Sequence, residues 1–422
     1  LTRFIGDSST ALRDITGLKS VADDSRGVTW TVDRRARKIA YLDSSDSVHV
    51  LALGVDYSPM SEPDQVVPAT FAAKAGSARW GATWWLSEPA ASWKLTLAAR
   101  TTGAVVRTWT GGPASTSVAV SWDGRSASGA LVPNGGYVWT LTAAPADGLG
   151  GPTALAGTVT VSGAAAAPRD WVGPAGPDGA GDLVTVTSSG SLAFQKGTGG
   201  GTFSGSVAAS GWPAGDTFVP TGDLNGDHCD DVLVRLSTGT LRAYEPACGA
   251  ALTTTTAYKT IGNGWNTYNQ ITSPGDLNGD GLPDLLARDA KGDLYRYLGT
   301  SAGAFAARVK IGYGWQIYST VAGAQDLTGD GHGDVLARDT SGVLWRYDSD
   351  GKGGVRARVR IGAGWNVYNA VVGAGDFTGD GRADLVARDA AGDLWRYSGT
   401  GQGTFAARVK IGWGWNTYRT LL

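Results

Sequence analysis

Apolar positions along this chain come in short runs that alternate with polar ones, and turn-forming residues interrupt every run. Alternation of period two puts successive side chains on opposite faces of a strand. Near the start it marks three strands, at Val28 to Val32, Ile39 to Leu42 and Val48 to Leu53. Turn-rich segments at 33–37 and 43–47 separate them, which predicts an antiparallel meander within residues 1–75. A lone sheet leaves a face uncovered. The meander is therefore expected to pack on the next domain or to be the remnant of a larger assembly upstream. Residues 76–163 carry a second set of runs, at Trp84 to Leu86, Leu95 to Leu97, Val105 to Arg107, Val118 to Val120 and Tyr137 to Leu141. They predict a β-sandwich, followed by a small-residue linker from Gly163 to Pro168.

From residue 164 to 422 the same pattern becomes periodic. A nine-residue acidic loop begins at Asp223, Asp276, Asp326 and Asp376, at intervals of 53, 50 and 50 residues. The dipeptide Ile-Gly recurs at 261, 311, 361 and 411. Each period holds four short apolar runs, the content of one propeller blade. A degenerate copy precedes them, with Asp178 and Asp182 at loop positions five and nine but Pro174 and Gly176 at one and three. The chain closes on Ile411 to Leu422, the opening strand of a sixth copy with no loop after it. A ring must hide its edge strands, so this tail is expected to complete the degenerate first sheet. The predicted fold is all-β: a five-bladed propeller, with seven blades as the alternative, behind a sandwich and a meander.

The loops suggest chemistry. Carboxylates at positions one, five and nine, Asn or Thr at three and Gly at six supply hard oxygen donors around one cation. The side-chain donors are Asp276, Asn278, Asp280 and Asp284, with the carbonyl of Leu282. The equivalent sets are Asp326, Thr328, Asp330, Asp334 with the His332 carbonyl, and Asp376, Thr378, Asp380, Asp384 with that of Arg382. Three carboxylates suit calcium better than magnesium. The fourth set, Asp223, Asn225, Asp227 and Asp231, has His228 at position six, where a sharp turn calls for Gly, so strain is expected there. The expectation is three to four structural calcium ions.

Composition narrows the function. Gly is 64 of 422 residues, placed at recurring turns. Lys and Arg number 36 against 38 Asp and Glu, which gives no basic surface for nucleic acid, and no run is long enough to span a membrane. Cys229 and Cys248, the only cysteines, suggest a disulfide in an extracellular, secreted protein. The first residues, Leu1-Thr2-Arg3, read as the start of a processed piece of a larger precursor. Histidine occurs three times, at His49, His228 and His332, in no zinc spacing and beside no candidate nucleophile, so no enzyme is expected.

The loops resemble the FG-GAP (VCBS-type) repeats of integrin-like propellers, which implies calcium. The joins Phe305 to Trp315 and Phe405 to Trp415 resemble those of the tachylectin-2 family of five-bladed lectin propellers. Trp122-Asp123-Gly124 followed by Gly135-Gly136-Tyr137 resembles the immunoglobulin-like domain of the flagellar hook-capping family, which implies a spacer. The combination is similar to secreted actinobacterial proteins. Together these resemblances imply a lectin-like module that binds glycans, or alternatively a scaffold or adhesin for another extracellular protein. The candidate sugar platforms are Trp265, Trp315, Trp365 and Trp415, each followed three residues on by Tyr268, Tyr318, Tyr368 and Tyr418. Packing between blades is the competing role for the same rings.

Overall fold

A computed structural model describes the strands Trp30–Asp33, Lys38–Leu42 and Val48–Ala52 and the residues from Met60 to Leu422 other than 74–77, 101–102, 104, 116, 130, 147, 149–150 and 174–175. The first three strands form the expected antiparallel meander, in chain order.

Two sheets follow. One has five strands, in the order Thr70–Ala72, Thr153–Ser162, Gly135–Pro145, Ala90–Ala99, Val105–Gly111. The other has three, Asp64–Val66, Trp80–Trp85 and Ser117–Trp122. The unit reaches back across the boundary expected at residue 76, because Asp64–Val66 and Thr70–Ala72 pair into its sheets. The alternating side chains Trp80, Trp84, Leu95, Leu97, Trp122, Tyr137, Trp139 and Leu141 form one buried core. Trp84 and Trp139 meet edge-on at 5.1 Å, the geometry aromatic quadrupoles favour. Gly157, opposite Trp139 across the strand pair, leaves room for the indole, since a Cβ there would lie 2.4 Å from the ring.

Residues 183–421 form five four-stranded antiparallel sheets. Four are consecutive in the chain. They begin at Thr217–Pro220, Tyr268–Gly275, Tyr318–Gln325 and Tyr368–Gly373. The remaining sheet combines Leu183–Thr187, Leu192–Gly197 and Phe203–Ala209 with the tail strand Tyr418–Leu421. The tail therefore closes the degenerate copy, as the periodicity implied, with Thr185 opposite Leu421 and Val186 opposite Thr420. The first strands of the four consecutive sheets and the tail strand line one central cavity of about 230 Å³. These strands approach closely: a Cβ on Gly323 would lie 1.8 Å from the Ser273 carbonyl oxygen, and one on Gly373 would lie 2.4 Å from that of Gly323. Only glycine permits that spacing.

Neighbouring sheets are joined by repeated arginines. The Nη1 of Arg288 donates to the carbonyls of Trp315 (3.0 Å) and Tyr318 (2.6 Å) in the next sheet's entry turn. Arg338 and Arg388 repeat this on Trp365 and Tyr368 and on Trp415 and Tyr418. Arg235 does so on Tyr268 (2.6 Å), although its sheet lacks the Arg-Asp pair of the others. The last of these arginines, Arg388, thus clamps the closing tail.

Candidate functional site

Each acidic loop joins the first and second strands of its sheet. Its turn is built by carboxylates accepting backbone N–H groups, a local arrangement Asp favours. In the 276 loop, Asp276 accepts from Gly279 (2.7 Å) and Gly281 (2.6 Å), and Asp280 accepts from Leu282 (2.9 Å). The 326 and 376 loops repeat this. Asp326 accepts from Gly331 and Asp376 from Gly381, both at 2.8 Å, while Asp330 accepts from His332 and Asp380 from Arg382. Leu282, His332 and Arg382, the expected carbonyl donors, thus also hold the turn through their N–H groups.

Position nine has a second role that the spacing did not reveal. Asp284 is fully buried, and its two oxygens accept from Leu277 N (2.8 Å) and Gly299 N (2.7 Å). Asp334 accepts from Leu327 and Ser349, and Asp384 from Phe377 and Gly399. Each ties the acidic loop to the turn before the fourth strand. The degenerate copy keeps this tie without a loop donor set: Asp182 accepts from Trp171 (2.9 Å), Val172 (2.8 Å) and Gly197 (2.8 Å). Its retention, with Gly176 at position three, was the signal available in the sequence. Burial pushes Asp284 and Asp334 up to about 6 and Asp182 well above the ordinary carboxylate range.

Among the described residues no group of three or more His, Cys, Asp or Glu side chains is arranged to hold a metal. Asn278 turns its Nδ2 toward Asp280 (2.9 Å), as Asn225 does toward Asp227 (3.1 Å), and Thr328 gives its hydroxyl to Asp334 (3.1 Å). The donor chemistry itself, carboxylate, amide and carbonyl oxygen, fits a hard cation.

The 223 loop departs in two ways. His228 adopts φ 70°, the left-handed conformation that Gly occupies in the other loops. Its carbonyl accepts from Asn134 Nδ2 at 3.0 Å, and Cys229 beside it is bonded to Cys248, so Asn134 and the disulfide both hold the turn. The residue matching Gly299 is Pro246, which has no N–H. Asp231 consequently keeps its tie to Leu224 N (2.8 Å) but has a buried Oδ1 without a partner, and burial pushes it up to about 8. Replacing His228 by Gly is expected to raise thermal stability by roughly 1 kcal/mol, because Gly meets no Cβ penalty at positive φ. A melting curve of His228→Gly that is unchanged or lower would show that the His228 side chain contributes more than its backbone costs.

The aromatic candidates are packed. Trp265, Trp315 and Trp365 are 6 %, 5 % and 7 % exposed, and Tyr268, Tyr318 and Tyr368 are each 3 % exposed. Each indole rests on a tyrosine from its sheet's third strand, with centroids 4.7, 4.4 and 4.6 Å apart for Tyr297, Tyr347 and Tyr397. Trp415 packs against Phe203 and Tyr418. Hydroxyls of Tyr268 and Tyr297 meet at 2.6 Å, and Arg308 donates to Tyr268 at 2.6 Å. At Trp265, Trp315 and Trp365 the ring faces are covered and serve the core, while Trp415 and Tyr418 stay half-buried. A glycine at φ near 80° starts each Trp turn, which tucks the indole inward.

Those same turns expose other residues. Tyr313 and Trp413, the variable residue between the two glycines, are 84 % and 81 % exposed. Ile317 and Val367, two residues after the buried Trp, are also exposed. The sequence pattern drew attention to the invariant aromatics and away from this variable position.

Residues 276–337 and 326–387 match the family model of the FG-GAP-like repeat, and residues 69–147 match that of the FlgD Ig-like domain. No curated protein matches the chain. Among solved structures, the BP39L lectin from Burkholderia pseudomallei is similar at 15 % identity, covering 91 % of this chain and 98 % of its own, with a TM-score of 0.37. AofleA from Arthrobotrys oligospora is similar at 11 % identity, covering 84 % and 96 %, with a TM-score of 0.36. A putative 6-phosphogluconolactonase from Bacteroides fragilis is similar at 12 % identity, covering 79 % and 98 %, with a TM-score of 0.31. Likenesses this distant assign no activity.

Proposed function

We propose that this chain is a secreted, non-catalytic binding protein: a five-bladed propeller with calcium in its acidic loops, carried behind an immunoglobulin-like sandwich spacer. The five four-stranded sheets around one cavity support the blade number, and no further four-stranded sheet occurs among the described residues to favour seven. Calcium would be held by Asp276, Asn278, Asp280 and Asp284 with the Leu282 carbonyl, and by the equivalent residues of the 326 and 376 loops. It would supply positive charge that relieves crowded carboxylates, with a structural role only. The 223 loop is the poorest candidate, given its strained turn and the unpartnered Oδ1 of Asp231.

The ligand we propose is a glycan, taken on the turn-bearing end of the ring. The observation that carries this reading is the exposure of Tyr313 and Trp413 at one repeat position. A bare aromatic ring stacks on the apolar face of a pyranose, and turn residues beside it supply hydrogen bonds. Sites on more than one blade would add by avidity. The exposed aliphatic pair Ile317 and Val367 favours the second reading, a protein partner on the same face. A glycan array separates the two. The expected result is a defined set of sugar hits that Trp413→Ala weakens by roughly tenfold, about 1.4 kcal/mol, without a change in melting. An array with no hits would remove the glycan reading and leave the protein partner.

A further inference from the structure

The central cavity carries one feature that neither the loops nor the turn face explains. Arg169 lies among its lining residues. It is 6 % exposed, yet its Nε and Nη1 are buried without any hydrogen-bond partner. Its backbone is at φ 65°, a conformation costly for a side chain of this size. A fold gains little from a residue both strained and unpaired, and such residues concentrate where ligands bind.

The other cavity groups define what would fit. No acidic side chain is among the lining residues. Arg388 is already committed to Trp415 and Tyr418, and Arg419 to the Ala214 carbonyl. Arg169 is therefore the guanidinium with donors to spare. The same lining carries the neutral hydrogen-bonding side chains Gln270, Thr272, Thr320, Asn369 and Thr420 among apolar ones. Asn369 already bonds Arg388 and the Asp389 carbonyl, while the Thr272 and Thr320 hydroxyls each accept one bond and keep a donor. At about 230 Å³ the space is smaller than pockets for drug-sized molecules, roughly 300–1,000 Å³. Charge, polarity and size agree on one small anion bearing several hydroxyls.

We propose that the central cavity is a binding site for a small polyhydroxylated carboxylate of the sugar-acid class, whose carboxylate Arg169 receives and whose hydroxyls meet the Gln, Asn and Thr side chains of the inner strands. A guanidinium with free N–H groups forms charge-assisted bonds to a carboxylate, stronger than those to a neutral hydroxyl. Burial lowers the Arg169 guanidinium and nearby Asp230 partly offsets this, with no ion pair between them within 4.0 Å among the described residues. This site is separate from Tyr313 and Trp413 and does not rest on them.

Calorimetric titration of the full chain tests it, with D-glucuronate as the probe and D-glucose and inorganic phosphate as comparisons. One saturable glucuronate site is expected, with glucose and phosphate each weaker by roughly tenfold or more. Arg169→Gln is expected to weaken glucuronate by a similar factor, and Trp413→Ala to leave it unchanged. Should Arg169→Gln fail to fold, Arg169→Gly serves, because glycine suits the backbone at φ 65°. Absence of saturable binding would overturn the proposal, as would glucose or phosphate binding as tightly as glucuronate. So would glucuronate binding that survives the Arg169 variants, or that is lost in Trp413→Ala alone.

Discussion

Removal of Ile411 to Leu422 is expected to abolish the cooperative unfolding of the whole ring rather than to fray one end. The segment supplies Tyr418–Leu421, the strand that faces the cavity in the sheet of the degenerate copy. Without it Leu183–Thr187 becomes an open edge, with Thr185 and Val186 losing their partners. Arg388 loses both of its acceptor carbonyls on the tail. Leu421, buried at 5 % exposure, and the half-buried Trp415 and Tyr418 leave the core they share with Leu183, Phe377 and Val386. At roughly 1.5–3 kcal/mol for each large apolar side chain, the loss is about 5 kcal/mol. That is comparable with the whole stability of a typical domain. The exposed edge would also template aggregation. Calorimetry and sedimentation of the truncated chain check this. A soluble truncation that melts at the wild-type temperature would show that the tail is peripheral to the ring.

Much of this closure was legible in the sequence. The Ile-Gly period placed a sixth opening strand at the end of the chain, and a ring has only one place to put it. The inter-sheet arginines Arg288, Arg338 and Arg388 keep the same period, each followed by Asp. Arg235 makes the same bond although Leu236 replaces the Asp that follows the others. Periodicity reports that a residue is needed in every sheet, but not whether the need is packing or binding. For Trp265, Trp315 and Trp365 the need is packing, since their neighbours are ring faces of the same sheet. Tyr313 and Trp413 were hidden because their position varies, with Asn263 and Ala363 in the other copies. Arg169 could not be found from sequence at all. Its isolation depends on how the linker meets strands about 50 to 250 residues away. The early edge of the two sheets before the repeats was missed because Asp64–Val66 and Thr70–Ala72 are only three residues long. So short a run carries too little alternation to read.

The double role of the loop aspartates predicts that two substitutions of the same type will behave differently toward calcium. Asp182→Ala removes a fully buried carboxylate and leaves the N–H groups of Trp171, Val172 and Gly197 without acceptors. At about 1–3 kcal/mol for each unmet group, it should destabilise by roughly 3 kcal/mol or more. Its copy has Pro174 and Gly176 where cation donors would stand, so the loss should be the same with calcium and with chelator. Asp276→Ala removes the acceptor of Gly279 and Gly281 at a more exposed turn, which should cost about 1 kcal/mol under chelation. It also removes a carboxylate from a proposed donor set. Wild-type protein at a hundredfold excess of free calcium over its Kd should gain about 2.7 kcal/mol per site by mass action. One such increment should be missing in Asp276→Ala, and none in Asp182→Ala. Melting curves of the three proteins, each with chelator and with added calcium, give the comparison. If calcium stabilises the wild type and Asp276→Ala equally, the 276 loop is not a metal site. If calcium stabilises none of the three, the acidic loops are hydrogen-bonded turns whose carboxylates serve the backbone alone.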